Sequence, residues 1–492
     1  MYSVGLSSYD GLGLNGFGTS SMEEMQQLNK ALVAGYEASP ELQVGGAALR
    51  VESLEESLKV ITYTDRHIVL WRDIPKSPAY STVEEWNDQE SYGNDFFGPF
   101  VREGELPQAN DSVYRRRTAL VKFLGTTREI THAASLVQPA HGDLIAKENE
   151  SGILWLLRQL EVYLYRGNSQ LAPPGQEGAE FDGLTNLINA QSFIDLEGAP
   201  PQEADFEEAS NLIALNYGFA TDIYTGYSPL SDLVKTMYPR HRVSLPAPAD
   251  GRIGQAINSI TTQGGELRFN AARFIERPPV APAAARGPAN KAPDAIASFS
   301  VTKDAGSGVG EFDKSQGSLD ARYAFIITAG NRFGESSPSA PVLSDIMTAA
   351  EAESGFELRL AITNAAALNR PPEYFNIYRT VALDATTAAA PTDVTAYSLV
   401  KKVRAESQAV SGVTPIVAGS LADINKTMPF TEEMYVGELD PQVITFRQLA
   451  PMMKLDIAVL SPAYRWMILI YGVPILFANR KWCKITNVGP LG

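Results

Sequence analysis

The residue types that carry out most protein chemistry are scarce in this sequence. It has a single cysteine, Cys483, so it can form neither an intrachain disulfide nor a thiolate zinc cluster. Four histidines, His67, His132, His141 and His241, are scattered without the short spacing of paired metal ligands. Chemistry that depends on a thiolate or on a histidine-held metal therefore has few residues available.

Motifs for nucleotide binding and hydrolysis are almost absent as well. The sequence contains no GxxxxGK[ST], no GxSxG and no HExxH. A G-x-G-x-x-G match at Gly11, Gly13 and Gly16 follows no strand-like segment and lacks an acidic residue at the required distance. Chance explains this match better than nucleotide binding does.

Cys483 and the paired carboxylates are the remaining candidates. The neighbouring cations Arg480, Lys481 and Lys484 would lower the pKa of a thiol, but the alternating pattern around Cys483 favours a buried, structural cysteine. In a chain with 57 acidic residues, most carboxylate pairs are expected on solvated faces. We predict no catalytic, cofactor-binding or metal-ligating residue, no cofactor and no enzymatic activity.

Length and charge favour a structural role. A chain of 492 residues corresponds to two to four domains, at about 100–200 residues each. Lys and Arg total 41 against 57 acidic residues, and the net charge of -16 argues against gripping nucleic acid through a basic surface. The glycine-rich N-terminus lacks the basic and apolar regions of a signal peptide.

The most apolar run of the sequence lies near its end. Residues 466–478, WMILIYGVPILFA, are fewer than the roughly 20 that a membrane-spanning helix needs, and Pro474 interrupts them. We predict two buried strands around a Gly-Val-Pro turn, and no membrane association. Further towards the N-terminus, residues 22–34 have helical periodicity, and such a helix would either dock on another surface or pack within its own domain.

A protruding hairpin is predicted between residues 58 and 131. SLKVITY and HIVLWRDI are strand-like, a polar loop follows, and VYRRRTALVKFLGTTREITH forms the return. Large apolar residues are too few in its middle to build a core, so the arm needs a surface to lie on, for which a neighbouring subunit is a candidate. The basic run Arg115, Arg116, Arg117 and the preceding Glu103 and Glu105 are either a solvated face or intersubunit contacts.

The strongest helix signal follows the hairpin. Ile153, Leu156, Leu157, Leu160 and Leu164 occupy one face of a helix predicted over 143–166, with Asp143 at its start and Gly167 after its end. Three aromatic residues, Trp155, Tyr163 and Tyr165, widen the apolar surface, so a second element, from this or another chain, is expected to cover the flank.

The second half of the chain changes character twice. Residues 171–277 are mixed α/β, with helices predicted over 202–217 and after Ser228-Pro229. Residues 278–294 contain five Pro and six Ala, which indicates a stiff, extended linker and no packed element. Short alternating strands then predict a β-sandwich over 295–428.

Several segments in order resemble the major capsid proteins of tailed bacteriophages. They are TYTDRHIVLWRDIPKSPAYSTVEEWNDQESYG, GPFVREGELPQANDSVYRRRTALVKFLGTTREITHAASLV, SGILWLLRQLEVYLYRGN and YRWMILIYGVPILFANRKW. The resemblance covers roughly residues 40–275 and 430–492. Separately, ARYAFIITAGNRFGESSPSAP and YFNIYRT resemble immunoglobulin-like or fibronectin-type-III modules, in which Arg322, Tyr323, Phe325 and Ile327 would follow one strand.

This resemblance implies an α+β Hong Kong 97-type capsid fold with an inserted, all-β immunoglobulin-like sandwich. Its parts would be an N-terminal arm (1–57), an extended loop, or E-loop, with a peripheral (P) domain and spine helix (58–199), part of an axial (A) domain (200–277), the linker (278–294), the sandwich (295–428) and the closing segment (429–492). The E-loop itself would span about 75–125.

Function and partners follow from the same resemblance. The chain would assemble with itself into hexamers and pentamers of an icosahedral or prolate virion shell, in the host bacterial cytoplasm, around double-stranded DNA that it does not bind sequence-specifically. Scaffolding, portal and decoration proteins are further candidate partners. Intersubunit contact candidates are Glu103, Glu105, Arg115, Arg116, Arg117, Trp155 and Tyr163. The alternative is a surface- or carbohydrate-binding virion protein in which the sandwich is the binding module; a hydrolytic enzyme is disfavoured.

Overall fold

A computed structural model describes most of the chain beyond its first sixty residues. The described ranges are 62–93, 100–106, 109–136, 143–169, 180–237, 257–275, 279–288, 290–296, 298–304, 320–354, 356–363, 370, 372–404, 428–458 and 462–491. By compactness the chain divides into two units, Met1–Ile61 with Val137–Leu144 and Thr62–Leu136 with Ile145–Gly492. The predicted arm over 1–57 and the helix over 22–34 lie outside the described residues.

The described residues form seven α-helices and twenty-one strands. The helices are α1 (Leu70–Asp73), α2 (His132–Leu136), α3 (Leu144–Arg166), α4 (Leu184–Leu187), α5 (Glu203–Leu215), α6 (Tyr227–Met237) and α7 (Ala349–Glu353). Short 3-10 helices occur at Asp65–His67, Ala190–Ser192 and Val394–Ala396. The strands are β1 (Lys76–Pro78), β2 (Val83–Ser91), β3 (Val113–Leu120), β4 (Lys122–Thr131), β5 (Phe193–Asp195), β6 (Asp222–Thr225), β7 (Ser259–Thr262), β8 (Gly265–Ala271), β9 (Ser298–Asp304), β10 (Ala321–Arg322), β11 (Ala324–Asn331), β12 (Gly334–Glu335), β13 (Val342–Leu343), β14 (Glu357–Thr363), β15 (Tyr374–Arg379), β16 (Leu383–Asp384), β17 (Ser398–Arg404), β18 (Glu432–Gly437), β19 (Ile444–Asp456), β20 (Ala463–Leu476) and β21 (Trp482–Val488). The predicted α+β class is confirmed.

A six-stranded sheet in the order β5-β21-β18-β6-β8-β7 forms the largest layer. Helices α5 and α6 pack on it through Phe206, Ile213 and Leu233. Cys483 of β21 lies in the same apolar cluster, and burial raises the pKa of its thiol to about 12. The prediction of a buried, structural cysteine is therefore confirmed.

A four-stranded sheet in the order β1-β19-β20-β4 lies in the same compact unit, together with the long helix α3. Helix α3 matches the predicted span, and the N–H of Gly167 donates to the carbonyl of Tyr163 at 2.7 Å as the helix ends. Its buried side chains include Leu156, Leu160 and Leu164, as the periodicity predicts. None of the helices in the described part is both long and apolar enough to span a bilayer.

Strand β20 corrects the prediction for residues 466–478. The segment is one continuous strand and contains no turn, since Gly472 pairs with Gln448 and Pro474 with Phe446 of β19. Proline is tolerated here because the pairing of β20 with β4 ends at Gly472, so the missing N–H of Pro474 faces no partner strand. A Cβ on Gly472 would lie 2.2 Å from the Phe446 ring, so the close packing of the two strands requires glycine.

Helix α1 corrects a second prediction. The segment HIVLWRDI was expected as a strand, but it contains the one-turn helix Leu70–Asp73 after a 3-10 turn. Its three leading N–H groups, from Val69, Leu70 and Trp71, are bound by the carboxylate of Glu161 on α3. A carboxylate at a helix N-terminus satisfies the unpaired N–H groups and favours the helical turn over a strand.

Residues 279–404 form an excursion between two strands of the six-stranded sheet. The chain leaves after β8 and returns as β18, and both of these strands are neighbours of β6. Within the excursion, β12, β11, β15 and β17 with β13 make one sheet, and β9 and β14 make another. Inward side chains from both, including Phe325, Ile377, Leu358 and Leu360, share one apolar cluster. The immunoglobulin-like identity and the bounds 295–428 remain predictions.

The Pro/Ala-rich segment is packed, contrary to the prediction of a free linker. Ala281 is buried against Tyr378 and Tyr397, and its N–H donates to the carbonyl of Tyr397 at 3.0 Å. Further along, Arg286 and Glu335 exchange two backbone hydrogen bonds of 2.8 Å. Small alanines and extended prolines fit this role, because they let the segment lie flat on the outer face of the sheet. We call residues 279–288 the strap.

Candidate assembly surface

The β2–β3 hairpin is built as a narrow two-stranded arm. Its register pairs Val83 with Leu120 and Ser91 with Val113, and the second strand is followed directly by β4 of the four-stranded sheet. Near the base of the hairpin, the Trp86 ring meets the Phe477 ring edge-on with centroids 5.5 Å apart. The base is therefore anchored to the rest of the compact unit, whereas Tyr92, Val113 and Tyr114 towards the far end of the arm are exposed.

The three predicted arginines pair within the hairpin. Arg115 lies 3.5 Å from Glu90, Arg116 contacts Glu85, and Arg117 contacts Asp88. Each pair is diagonal across the two strands, since the directly opposite partners of these arginines are Asp88, Asn87 and Trp86. Each arginine of β3 thus pairs with a carboxylate of β2 on the same face of the arm. The partners of the basic run are therefore acidic residues of the same hairpin.

Glu103 and Glu105 lie in the segment 100–106, which is exposed throughout. The same segment carries Phe100 and Leu106, each 93% exposed. Other exposed large apolar residues of the arm and its flanks are Tyr80, Val83, Tyr92, Val101, Val113, Tyr114, Leu120 and Phe123. Apolar exposure on this scale is typical of surfaces that another molecule covers.

The two aromatic candidates of α3 have different environments. Trp155 is partly exposed, as a contact residue would be. Tyr163 is half-buried within the chain, with its ring edge-on to Phe181, and burial together with the charge of Glu180 raises the pKa of its hydroxyl. The seven predicted contact residues therefore lie in three separate places, and their role between subunits remains a prediction.

The segment that leads into the hairpin is fixed by two carboxylates. Glu161 accepts hydrogen bonds from the N–H groups of Leu70 and Trp71, both at 2.8 Å, and from the Tyr165 hydroxyl at 3.3 Å. Burial raises the pKa of Glu161, against the lowering effect of these hydrogen bonds. On α1, Asp73 accepts from the Tyr224 hydroxyl at 3.2 Å, and burial raises its pKa too. Sequence reasoning missed both, because neither stands in a recognisable motif.

Beyond the arm, the polar clusters of the described residues have structural roles. In the described ranges, no group of three or more His, Cys, Asp or Glu side chains is arranged to hold a metal ion. The most buried ion pair joins Glu433 and Lys484 at 2.8 Å, between neighbouring strands of the six-stranded sheet. Its partners are structural: the Tyr435 hydroxyl donates to Glu433 at 2.8 Å, and Thr185 lies 2.7 Å from that hydroxyl.

The chain is similar over nearly its full length to proteins of phage heads. It is 27% identical over 463 residues to the major capsid protein of Staphylococcus phage S25-3, covering 93% of this chain and 94% of that protein. The major capsid protein of Staphylococcus phage K matches equally, at 27% over 463 residues. A protein of Enterococcus phage phiEF24C is 28% identical over 466 residues, covering 94% of this chain and 95% of that protein. The resemblance predicted from the sequence is confirmed.

Similarity to solved structures is weaker, and no family model matches the chain. An encapsulin from Synechococcus elongatus is 9% identical with a TM-score of 0.42, covering 89% of this chain and 93% of that chain. A structure from Mycobacterium phage Bobi is 7% identical with a TM-score of 0.43, covering 91% of this chain and 99% of that chain.

Proposed function

We infer that this chain is a major capsid protein of a tailed bacteriophage, which assembles with copies of itself into the shell of the virion. One observation carries the inference: the match to capsid proteins of staphylococcal phages extends over 93% of this chain and 94% of theirs. This similarity covers the excursion 279–404 and also most residues outside it. It therefore disfavours the alternative of a binding protein whose active part is the sandwich alone.

The Hong Kong 97-type parts have counterparts among the described elements. Helix α3 corresponds to the spine helix, the β2–β3 hairpin to the E-loop, and the four-stranded sheet to the P-domain. The six-stranded sheet with α5 and α6 corresponds to the A-domain. We base these assignments on the positions that the sequence resemblance implies.

We further propose that the shell consists of hexamers and pentamers around double-stranded DNA, and that the arm lies on a neighbouring subunit. The uncovered apolar residues of the arm support this role, since a second layer would bury them. The net charge of -16 is compatible with a wall that faces DNA without adsorbing it. Scaffolding, portal and decoration proteins are proposed partners.

The excursion 279–404 is proposed as a decorating module on the outer surface of the shell. The chain enters it after β8 and leaves it before β18, and both of these strands pair with β6. The six-stranded sheet therefore contains no strand of the excursion, as expected for an inserted module. The role proposed for the whole chain is structural and not enzymatic, since its candidate residues support contacts and packing.

Deletion of the hairpin loop tests the function. Residues 92–112 would be replaced by Asn-Gly, which joins Ser91 and Val113 through a two-residue turn because these two residues are register partners. We expect the wild-type protein, expressed with the scaffold factors of a related phage, to form particles tens of nanometres across in negative-stain electron microscopy. The deletion variant should remain folded but unassembled. A wild-type protein that stays monomeric at high concentration would contradict the capsid function.

A matched variant separates loss of contact from loss of fold. The triple substitution Phe100→Ser, Val101→Ser and Leu106→Ser keeps the loop length and removes its exposed apolar side chains. It should weaken assembly without changing the circular dichroism spectrum. Normal shells from both variants would show that the arm is dispensable.

A further inference from the structure

A second uncovered apolar surface lies at the end of α5, in the part we assign to the A-domain. Three large side chains project there within five residues: Leu215, Tyr217 and Phe219 are 76%, 90% and 69% exposed. We call these three residues the knob. Single exposed apolar residues are ordinary, but a group of this kind on one loop marks an interaction site.

The knob is held rigidly. The Asn216 amide donates to the carbonyl of Leu212 at 2.8 Å, and the N–H of Gly218 donates to the carbonyl of Ile213 at 3.0 Å. Tyr217 has a φ of 60°, a left-handed conformation that is uncommon for an aromatic residue. The N–H of Phe219 donates to Glu438 at 3.2 Å. A strained backbone fixed by its neighbours persists mainly where the displayed side chains have a role.

Basic residues border the knob. Arg480 and Lys481 line the same groove as Tyr217, and residues of this chain's own hairpin, among them Asp88 and Glu90, line it too. Lys481 lies 3.4 Å from Glu438, whereas Arg480 is exposed. The knob surface is therefore apolar, with the exposed charge of Arg480 at its edge, in a chain whose net charge is -16. An apolar partner with acidic flanks fits it best.

The segment 100–106 of the hairpin loop has that chemistry. Phe100 and Leu106 are apolar and exposed, and the exposed charges between them are those of Arg102, Glu103 and Glu105, which together leave one net negative charge. Exposure of about nine-tenths at Tyr217, Phe100 and Leu106 shows that the two surfaces do not cover each other within one copy. Any contact between the two surfaces is therefore made between copies.

We propose that the knob of one subunit receives the 100–106 segment of a neighbouring subunit in the assembled shell. The proposal rests on the proposed capsid function, and it assigns the apolar end of the arm a receptor on the neighbour. In this arrangement Glu103 and Glu105 lie near Arg480, which gives the predicted acidic contact residues a basic partner.

Cysteine cross-linking tests the contact directly. Two single variants, Tyr217→Cys and Leu106→Cys, would be co-assembled in equal amounts and oxidised. We expect disulfide-linked dimers in non-reducing gels of the purified particles. The native Cys483 does not compete, because it is fully buried and its thiol pKa is raised to about 12. A control pair of Tyr217→Cys with Tyr80→Cys, which is equally exposed at 88%, should give no dimers.

A charge exchange provides an independent measurement. The variant Glu103→Lys with Glu105→Lys should raise the concentration needed for assembly several-fold. Adding Arg480→Glu should restore part of the loss, whereas Arg480→Glu alone should weaken assembly. Lys481 is left unchanged because it lies 3.4 Å from Glu438, which also holds the loop.

The outcomes separate this proposal from the capsid function. If the wild-type protein forms no particles, the capsid function fails first. If particles form but the Tyr217→Cys and Leu106→Cys pair yields no dimers, only the knob contact is overturned. The same holds if the lysine variant assembles like the wild type.

Discussion

The carboxylate of Glu161 accepts a hydrogen bond from the backbone N–H of Leu70 at 2.8 Å, although 91 positions separate the two residues. The same side chain binds the N–H groups of Val69 and Trp71 at 3.2 and 2.8 Å. One buried carboxylate on the long helix thus caps the turn that precedes the hairpin. The root of the proposed assembly arm is fixed to the longest rigid element of the chain.

Replacing Glu161 should loosen this root. Glu161→Ala leaves three backbone donors without their acceptor, and an unsatisfied buried donor costs about 1–3 kcal/mol. We expect a loss of about 3 kcal/mol or more in the free energy of unfolding, measured by urea denaturation in the non-assembling loop-deletion background. Tyr165→Phe is the control, because it removes only the 3.3 Å hydrogen bond to Glu161 and should cost less than about 1.5 kcal/mol. Equal losses in the two variants would contradict the capping role.

The helix α1 shows where sequence reasoning ends. The apolar residues of HIVLWRDI suit a strand, and nothing nearby in the sequence indicates the cap that Glu161 supplies from α3. The long helix itself was predictable, because its apolar stripe is a local pattern and Gly167 marks its end. Local periodicity determines α3, whereas α1 depends on a tertiary contact.

Pro474 illustrates the same limit in a strand. A Gly-Val-Pro run predicts a turn, and only the sheet shows that β4 no longer pairs with β20 at that point. The candidate contact residues follow this rule too. Their charges are visible in the sequence, but the diagonal pairing of Arg116 with Glu85 and Arg117 with Asp88 requires the register of the hairpin.

Arg116 and Arg117 should differ in their effect on the hairpin. The Arg116–Glu85 pair is exposed, with 69% and 41% of the side chains accessible, and such pairs contribute about 0–1 kcal/mol. The Arg117–Asp88 pair is less exposed, at 35% and 17%. We expect Arg117→Ala to reduce amide-exchange protection across β2 several-fold and Arg116→Ala to change it less than about twofold. Mass-spectrometric hydrogen exchange measures this difference, and a larger effect of Arg116→Ala would contradict it.

Two glycines test whether the strap is packed as described. Both Gly287 and Gly104 have positive φ, 103° and 86°, but a Cβ on Gly287 would lie 2.4 Å from the Phe333 carbonyl oxygen, whereas Gly104 has no atom within 4 Å. Gly104→Ala should cost only the conformational penalty of about 1–2 kcal/mol. Gly287→Ala should cost clearly more and should expose to hydrogen exchange the backbone amides of Arg286 and Glu335, each of which donates to the carbonyl of the other residue. Similar costs at both positions would show that the strap is not fixed on the sheet.

Lowering the pH should reduce the free energy of unfolding through Glu433, which lies on β18 of the six-stranded sheet. Burial raises the pKa of this carboxyl, but the charges of Lys484 and Arg166 and the hydrogen bonds from Lys484 and Tyr435 outweigh burial and bring the pKa to about 2, from an ordinary 4.5. A depressed pKa contributes stability that is complete above about 4.5 and is lost as the pH falls towards 2. A tenfold change in an acid constant corresponds to about 1.4 kcal/mol, which limits the contribution to about 3 kcal/mol.

The double variant Glu433→Gln with Lys484→Met isolates this contribution, since every other carboxyl of the chain titrates in both proteins. The free energy of unfolding should fall more steeply for the wild type than for the double variant between about pH 5 and pH 2. Glu433→Gln alone leaves the Lys484 ammonium buried without its counter-charge, so it should be the least stable of the three at pH 7, by about 3–5 kcal/mol relative to the wild type. Parallel curves for wild type and double variant would mean that the pair contributes nothing to acid sensitivity.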